Sequence, residues 1–107
     1  MQFQLSGQQI EVTPALRAHA TAKLDRLTRL DDRLKSLTIV LSVDKLQHRA
    51  DGTLNVVGTT LHAQAMEGDM YASIDLLFDK LVGQLRRYRE KVANKHQRAV
   101  REDRQFG

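Results

Sequence analysis

The side chains whose types and spacing point to chemistry are cations on one long helical pattern. From Lys80 to the end there are nine Lys or Arg against three Asp or Glu, a local charge of +6, whereas residues 1–79 hold eight against ten, a charge of −2. Lys80, Arg87, Lys91, Lys95 and Arg98 recur at spacings of 7, 4, 4 and 3, one stripe of a helix; Arg86 and Arg89 lie on its other side. A near-neutral body carrying a cationic rod suits the gripping of a polyanion, and nucleic acid is the foremost candidate. The backbone dipole favours cations at a helix C-terminus, but that accounts for only the last turn. These run over about five turns at 3.6 residues each.

A second, smaller patch comes from His19, Lys23 and Arg26 at i, i+4 and i+7. Arg29 and Arg33 extend it, and Asp25, Asp31 and Asp32 dilute it. Two helices packed side by side on one sheet would bring Lys23 and Arg26 near the Lys80 stripe, giving a basic groove between helices.

Other chemistries lack their residues. The four histidines, His19, His48, His62 and His96, have no metal-ligand spacing. Cys is absent, which removes disulfides and thiolate sites. There is no Gly-rich phosphate loop and no Gly-x-Ser-x-Gly. Asp69 and Asp75 could be imagined as a carboxylate pair. Asp69 is better read as the N-cap of the last helix and Asp75 as a first-turn anion. No enzymatic activity, cofactor, metal or small-molecule substrate is expected.

The elements that must position the cations follow from periodicity. Phe3 and Leu5 alternate with Gln2, Gln4 and Ser6 as a short strand ended by Ser6-Gly7. Thr13-Pro14 reads as N-cap and first helical residue, and Leu16, Ala20, Leu24 and Leu27 carry a helix to about Leu30, where Asp31-Asp32 breaks it. Leu37, Ile39, Leu41 and Val43 alternate as a second strand. Residues 45–52 read as a polar loop closing on a turn at Asp51-Gly52. Leu54 and Val56 open a third strand, Gly58 marks a hairpin, and Leu61, Ala63 and Ala65 form a fourth. Ile74, Leu77, Leu81, Leu85, Tyr88 and Val92 then make the core stripe of the last helix. Beyond Val92 no apolar face remains, so the helix is expected to overhang the body.

The order β-α-β-β-β-α with alternating strands predicts an α+β fold: a two-layer sandwich, a four-stranded sheet with both helices on one face. The 107 residues, 41% hydrophobic but only 5% aromatic, support one domain with an aliphatic core. Residues 1–101 are expected to form that domain and 102–107 a short flexible tail. No signal-peptide pattern or membrane-spanning apolar run is seen, so a cytoplasmic protein without a membrane partner is expected. The wet sheet face would present Gln4, Thr38, Val40, Ser42, Asn55, Val57, His62 and Gln64. It has no aromatics on which bases could stack, so the helices should bind, and bind phosphates.

Glu11-Val-Thr-Pro-Ala-Leu-Arg, Lys23-Leu-Asp-Arg-Leu, Asp69-Met-Tyr-Ala-Ser-Ile-Asp and Asp79-Lys-Leu-Val-Gly-Gln-Leu together resemble the ribosome hibernation-promoting factors, also called sigma-54 modulation proteins. The resemblance covers about residues 1–95. It implies a fold like that of double-stranded RNA-binding domains and a site on the small ribosomal subunit, in the channel of the mRNA and the A- and P-site tRNAs. Carried over by position, the rRNA-binding residues are Lys23 and Arg26 on the first helix and Lys80, Arg86, Arg87, Arg89, Lys91 and Lys95 on the last. Tyr71, within the signature, is read as packing at the start of the last helix. Gly83 stands where relatives often have a basic residue. Arg101-Glu-Asp-Arg-Gln-Phe-Gly is neither a second domain nor clearly acidic. The resemblance thus implies a short-form translation inhibitor of bacterial stationary phase and stress. It would promote ribosome dimers together with a separate ribosome modulation factor. The alternatives are an inhibitor that keeps ribosomes as idle monomers, a protein-binding modulator of a transcription factor, and a free double-stranded RNA binder.

Overall fold

Thr13 starts the first helix as its residue type predicts: its backbone is extended and its Oγ1 accepts from Leu16 N at 3.2 Å. In the computed structural model the helix, α1, spans Pro14–Leu30. It follows β1 (Gln2–Gly7) and precedes β2 (Leu34–Asp44), β3 (Gln47–Val56), β4 (Thr59–Glu67) and α2 (Met70–Phe106). The structure describes the backbone of residues 1–106 and the side chains of residues 1–93. The expected contributions of Lys95 and Arg98, and the expected tail at 102–107, fall outside the described side chains.

The sheet order is β1-β2-β3-β4. β1 runs parallel to β2, which requires the α1 crossover, and the other pairs are antiparallel. Both helices cover one face, giving the expected two-layer α+β sandwich. Leu5, Leu37, Ile39, Leu41, Ala50, Leu54 and Ala65 point into the core from the sheet. Leu16, Ala20 and Leu27 of α1 meet them, as do Ile74, Leu77, Phe78, Leu81 and Leu85 of α2.

Three boundaries differ from the sequence reading. The polar loop expected at 45–52 is mostly strand. β2 and β3 join through the two residues Lys45-Leu46, with Lys45 at φ 57°, and Asp44 pairs with Gln47. Asp51-Gly52 is no turn. Asp51 faces outward to Arg49, while Gly52 faces inward beneath Leu77, where a Cβ would lie 3.1 Å from two Leu77 methyls. Glycine is there for the close approach of helix to sheet. β2 also begins earlier than expected, at Leu34, with a bulge before Ser36. The core stripe of α2 ends near Tyr88: Val92, expected within it, is 40% exposed.

Gly58 does make the β3–β4 turn, at φ +93°. The Tyr88 hydroxyl donates to the Val57 carbonyl at 3.2 Å and fills the space over Gly58. At the other end of α2, buried Ser73 donates to the His48 carbonyl at 2.6 Å and accepts from Glu67 N at 3.1 Å. α2 is thereby pinned at both ends of its core segment. It has 37 residues, about 55 Å of helix at ~1.5 Å per residue. The exposed Lys91, Val92 and Ala93 mark where it leaves the core.

Candidate nucleic-acid interface

The core stripe of α2 divides its remaining surface into two flanks, and the cations divide with it. At about 100° per residue, Lys80, Gln84, Arg87 and Lys91 fall on one side of Leu81, and Asp75, Asp79, Val82, Arg86 and Arg89 on the other. The first flank overlies β4. Lys80 Nζ donates to the Gln64 carbonyl at 2.8 Å and Gln84 Nε2 to the His62 carbonyl at 2.9 Å, covering outward carbonyls of this edge strand. Among the described residues Arg87 Nε donates to the Gly83 carbonyl alone, at 3.3 Å, and Arg87 and Lys91 are exposed.

The second flank faces α1. Lys23 and Arg26 therefore meet Asp79, Val82 and Arg86 rather than the Lys80 stripe. The groove between helices exists, but the expectation that Lys80 would form its far wall is wrong, because α1 packs on the opposite side of α2. A half-open cavity of about 290 Å³ lies in this groove. Phe78, Val82 and Leu30 give it an apolar lining, and Lys23, Arg26 and Arg86 surround it. Arg26 and Arg86 are exposed and have no ion pair among the described residues.

Two carboxylates hold the helices in this relation. Asp75 is no first-turn anion; it sits farther along α2 and bridges to α1, with His19 Nε2 at 2.6 Å and Lys23 Nζ at 3.4 Å. Burial pushes the Asp75 carboxyl up, but the His19 hydrogen bond and the Lys23 charge outweigh it and leave the group below its ordinary value. Tyr71 packs edge-on against His19, with ring centroids 5.2 Å apart, the packing role expected of it. The other carboxylate, Asp31, caps the end of α1 and is buried. It accepts from Arg33 N at 2.9 Å and from Arg33 Nε and Nη2 at 3.1 Å each. The Arg33 side-chain hydrogen bonds hold it below the usual carboxylate range against the opposing effect of burial, with a further contribution from Arg89.

Arg89 is the predicted site residue most committed to the fold. Its Nη1 donates to the Leu30 carbonyl at 2.8 Å and its Nε lies 3.8 Å from Asp31. It satisfies an orphan carbonyl at the end of α1. Asp69 behaves as a helix N-cap, its Oδ1 3.4 Å from Tyr71 N.

The outer sheet face is a polar network. Asn55 joins Ser36 at 2.8 Å and Thr60 at 2.9 Å, Thr53 meets His62 at 3.0 Å, and Arg49 spans Asp51 and Gln64. No Phe, Tyr or Trp among the described residues lies on it. Among the described residues no group of three or more His, Cys, Asp or Glu is placed to hold a metal ion, and no helix is long and apolar enough to cross a membrane.

Fold and site together define a small α+β domain that presents cations from its helix layer rather than aromatics from its sheet. The family described as sigma 54 modulation protein / S30EA ribosomal protein matches residues 3–93, and this chain belongs to it. It is 44% identical over 92 residues to the ribosome hibernation promoting factor of Escherichia coli (strain K12), covering 86% of this chain and 97% of the relative. It is 43% identical over 97 residues to the factor of the same name from Azotobacter vinelandii, covering 91% of each. Among solved structures, a ribosomal subunit interface protein from Coxiella burnetii superposes with a TM-score of 0.81 at 36% identity, covering 84% of this chain and 99% of that one. The N-terminal domain of Thermus thermophilus Protein Y gives 0.73 at 31%, covering 79% and 94%.

Proposed function

We propose that this protein is a ribosome hibernation factor. It binds the small ribosomal subunit through rRNA phosphates, inhibits translation and stores ribosomes inactive in the cytoplasm. The observation that supports this most is the pairing of family membership with two rows of helix cations turned away from the core. One row is Lys23, Arg26 and Arg86 around the interhelical groove. The other is Lys80, Arg87 and Lys91 along the β4 flank, and Lys95 is the next cation at that spacing in the sequence. Arg89 contributes through its exposed half while it holds α1. A helix layer wide enough for two cationic rows suits the decoding channel, where it would compete with mRNA and with A- and P-site tRNA. We assign the protein to the class that promotes ribosome dimers alongside a separate modulation factor.

Cosedimentation with small subunits at moderate salt tests the binding. The wild type should pellet with them, and a double reversal of Arg87 and Lys91 to Glu should not, while remaining folded. Removing each phosphate-binding cation should lower the log–log salt slope by about 1. Affinity that does not change with salt overturns the mechanism. Gradient profiles of ribosomes with and without the protein test the dimer assignment, which an increase in idle monomers alone would refute.

A further inference from the structure

The groove between the helices has a feature that phosphate binding does not use: an apolar lining. A strip of phosphates needs only cations at hydrogen-bonding reach. Here Phe78, Val82 and Leu30 line a cavity of about 290 Å³, bordered by Lys23, Arg26 and Arg86. Asp79 is the one carboxylate among the described residues of that lining. An apolar wall ringed by cations with a single acceptor has the chemistry of a nucleoside phosphate site. A flat base lies on the apolar wall, its phosphate meets the guanidinium and ammonium groups, and a carboxylate accepts from an exocyclic amino group.

We propose that this groove takes one nucleotide turned out of an RNA strand. The proposal rests on the RNA-binding reading above. The strand, rather than a free nucleotide, is the occupant because the groove does not close at its end. Arg86 also borders the next depression along α2, with Arg89, Glu90 and Ala93, so cations continue past the cavity where a neighbouring phosphate would run. Asp75 acts at the other end as a positioning residue. By holding Lys23 to α2 at 3.4 Å, it fixes one side of the cavity. The cavity is too small to admit a paired duplex, so an unpaired nucleotide is selected over a stacked one.

The test uses the full chain and fluorescein-labelled RNA hairpins, read by anisotropy at fixed salt. One hairpin is fully paired, one carries a single bulged adenosine, one a bulged uridine and one an abasic bulge. The adenosine bulge should bind about tenfold tighter than the paired hairpin, the gain from burying about 55 Å² of apolar surface at ~25 cal/mol per Å², and the abasic bulge should lose that gain. Val82→Arg adds a cation while covering the apolar wall. It should raise affinity for the paired hairpin and abolish the bulge preference, two changes that unfolding would not produce together. Asp79→Ala, at an exposed position, removes the acceptor and should keep the bulge preference but erase that for adenosine over uridine. Equal affinity of the wild type for bulged and paired hairpins overturns the proposal, as does a Val82→Arg protein that keeps the tenfold preference. AMP binding as tightly as the bulged hairpin would assign the cavity to a free nucleotide and refute the strand. Wild-type cosedimentation with small subunits separates the two readings. If it persists without a bulge preference, only the cavity assignment fails; if it is lost, the ribosomal reading fails.

Discussion

Asp31 sits where the two helices and the start of β2 meet, and its removal should cost the fold more than its single charge suggests. Its side chain is 3% exposed and accepts three hydrogen bonds from Arg33 as well as the nearby charge of Arg89 at 3.8 Å. In Asp31→Ala the Arg33 guanidinium can turn to water, so its share of the loss is small. The Arg33 backbone N–H is less free to do so, and a hydrogen bond to a charged acceptor contributes about 1.5–3 kcal/mol. Arg89 keeps the Leu30 carbonyl but loses its counter-charge. The expected loss is therefore about 2 kcal/mol, dominated by that one backbone bond. For a domain of this size it corresponds to a midpoint drop of roughly 8–16 °C. Asp31→Asn retains an acceptor for the N–H and should lose about half as much. Urea unfolding with unchanged m-values measures both variants. The acid dependence gives an independent check. The carboxyl is depressed in the folded state, so its contribution is full above the unfolded value and fades as pH falls through the folded one. The wild-type advantage over Asp31→Asn should thus shrink below about pH 4. An Asp31→Ala protein within about 0.5 kcal/mol of wild type, the noise of a neutral surface change, would refute the reasoning, as would an advantage that grows on acidification.

Ser73→Ala removes the buried donor to His48 and acceptor for Glu67, and should destabilise by about 1–3 kcal/mol in the same assay. Gly52→Val puts a side chain where Leu77 already stands 3.1 Å from a Cβ; overpacking of about 1–3 kcal/mol is expected, with a shift in the near-ultraviolet signal of the helix–sheet packing. Asp75→Asn loses the Lys23 counter-charge. It should weaken the α1–α2 packing, read as faster amide exchange in α1 than in β3, and the wild-type excess of protection should disappear as pH falls through the depressed Asp75 value.

The layout of the fold was legible in the sequence because each surface helix and strand carries its own period. Thr13-Pro14, the alternation through Leu37–Leu41 and the stripe from Ile74 to Leu85 each depend on neighbours a few residues away, and each is present as expected. What the sequence does not show depends on packing between distant elements. Asp51-Gly52 has the residue types of a turn, yet the glycine answers to Leu77 of α2, which no local pattern reports. Val92 continues the helical period beyond the point where there is any sheet to bury it. The cations show the same division. Their presence on two helices follows from spacing, but the side of α2 on which α1 lies decides which of them share a groove. Phe78 and Val82 lie on that side, and Phe78 was the available signal, since it stands off the main stripe in an apolar widening toward one flank. Followed through, the widening would have placed α1 against Arg86 rather than Lys80. The same asymmetry gives the groove its apolar wall, so the feature that decides which cations share the groove is also the one that makes an unpaired base, rather than phosphates alone, the better fit.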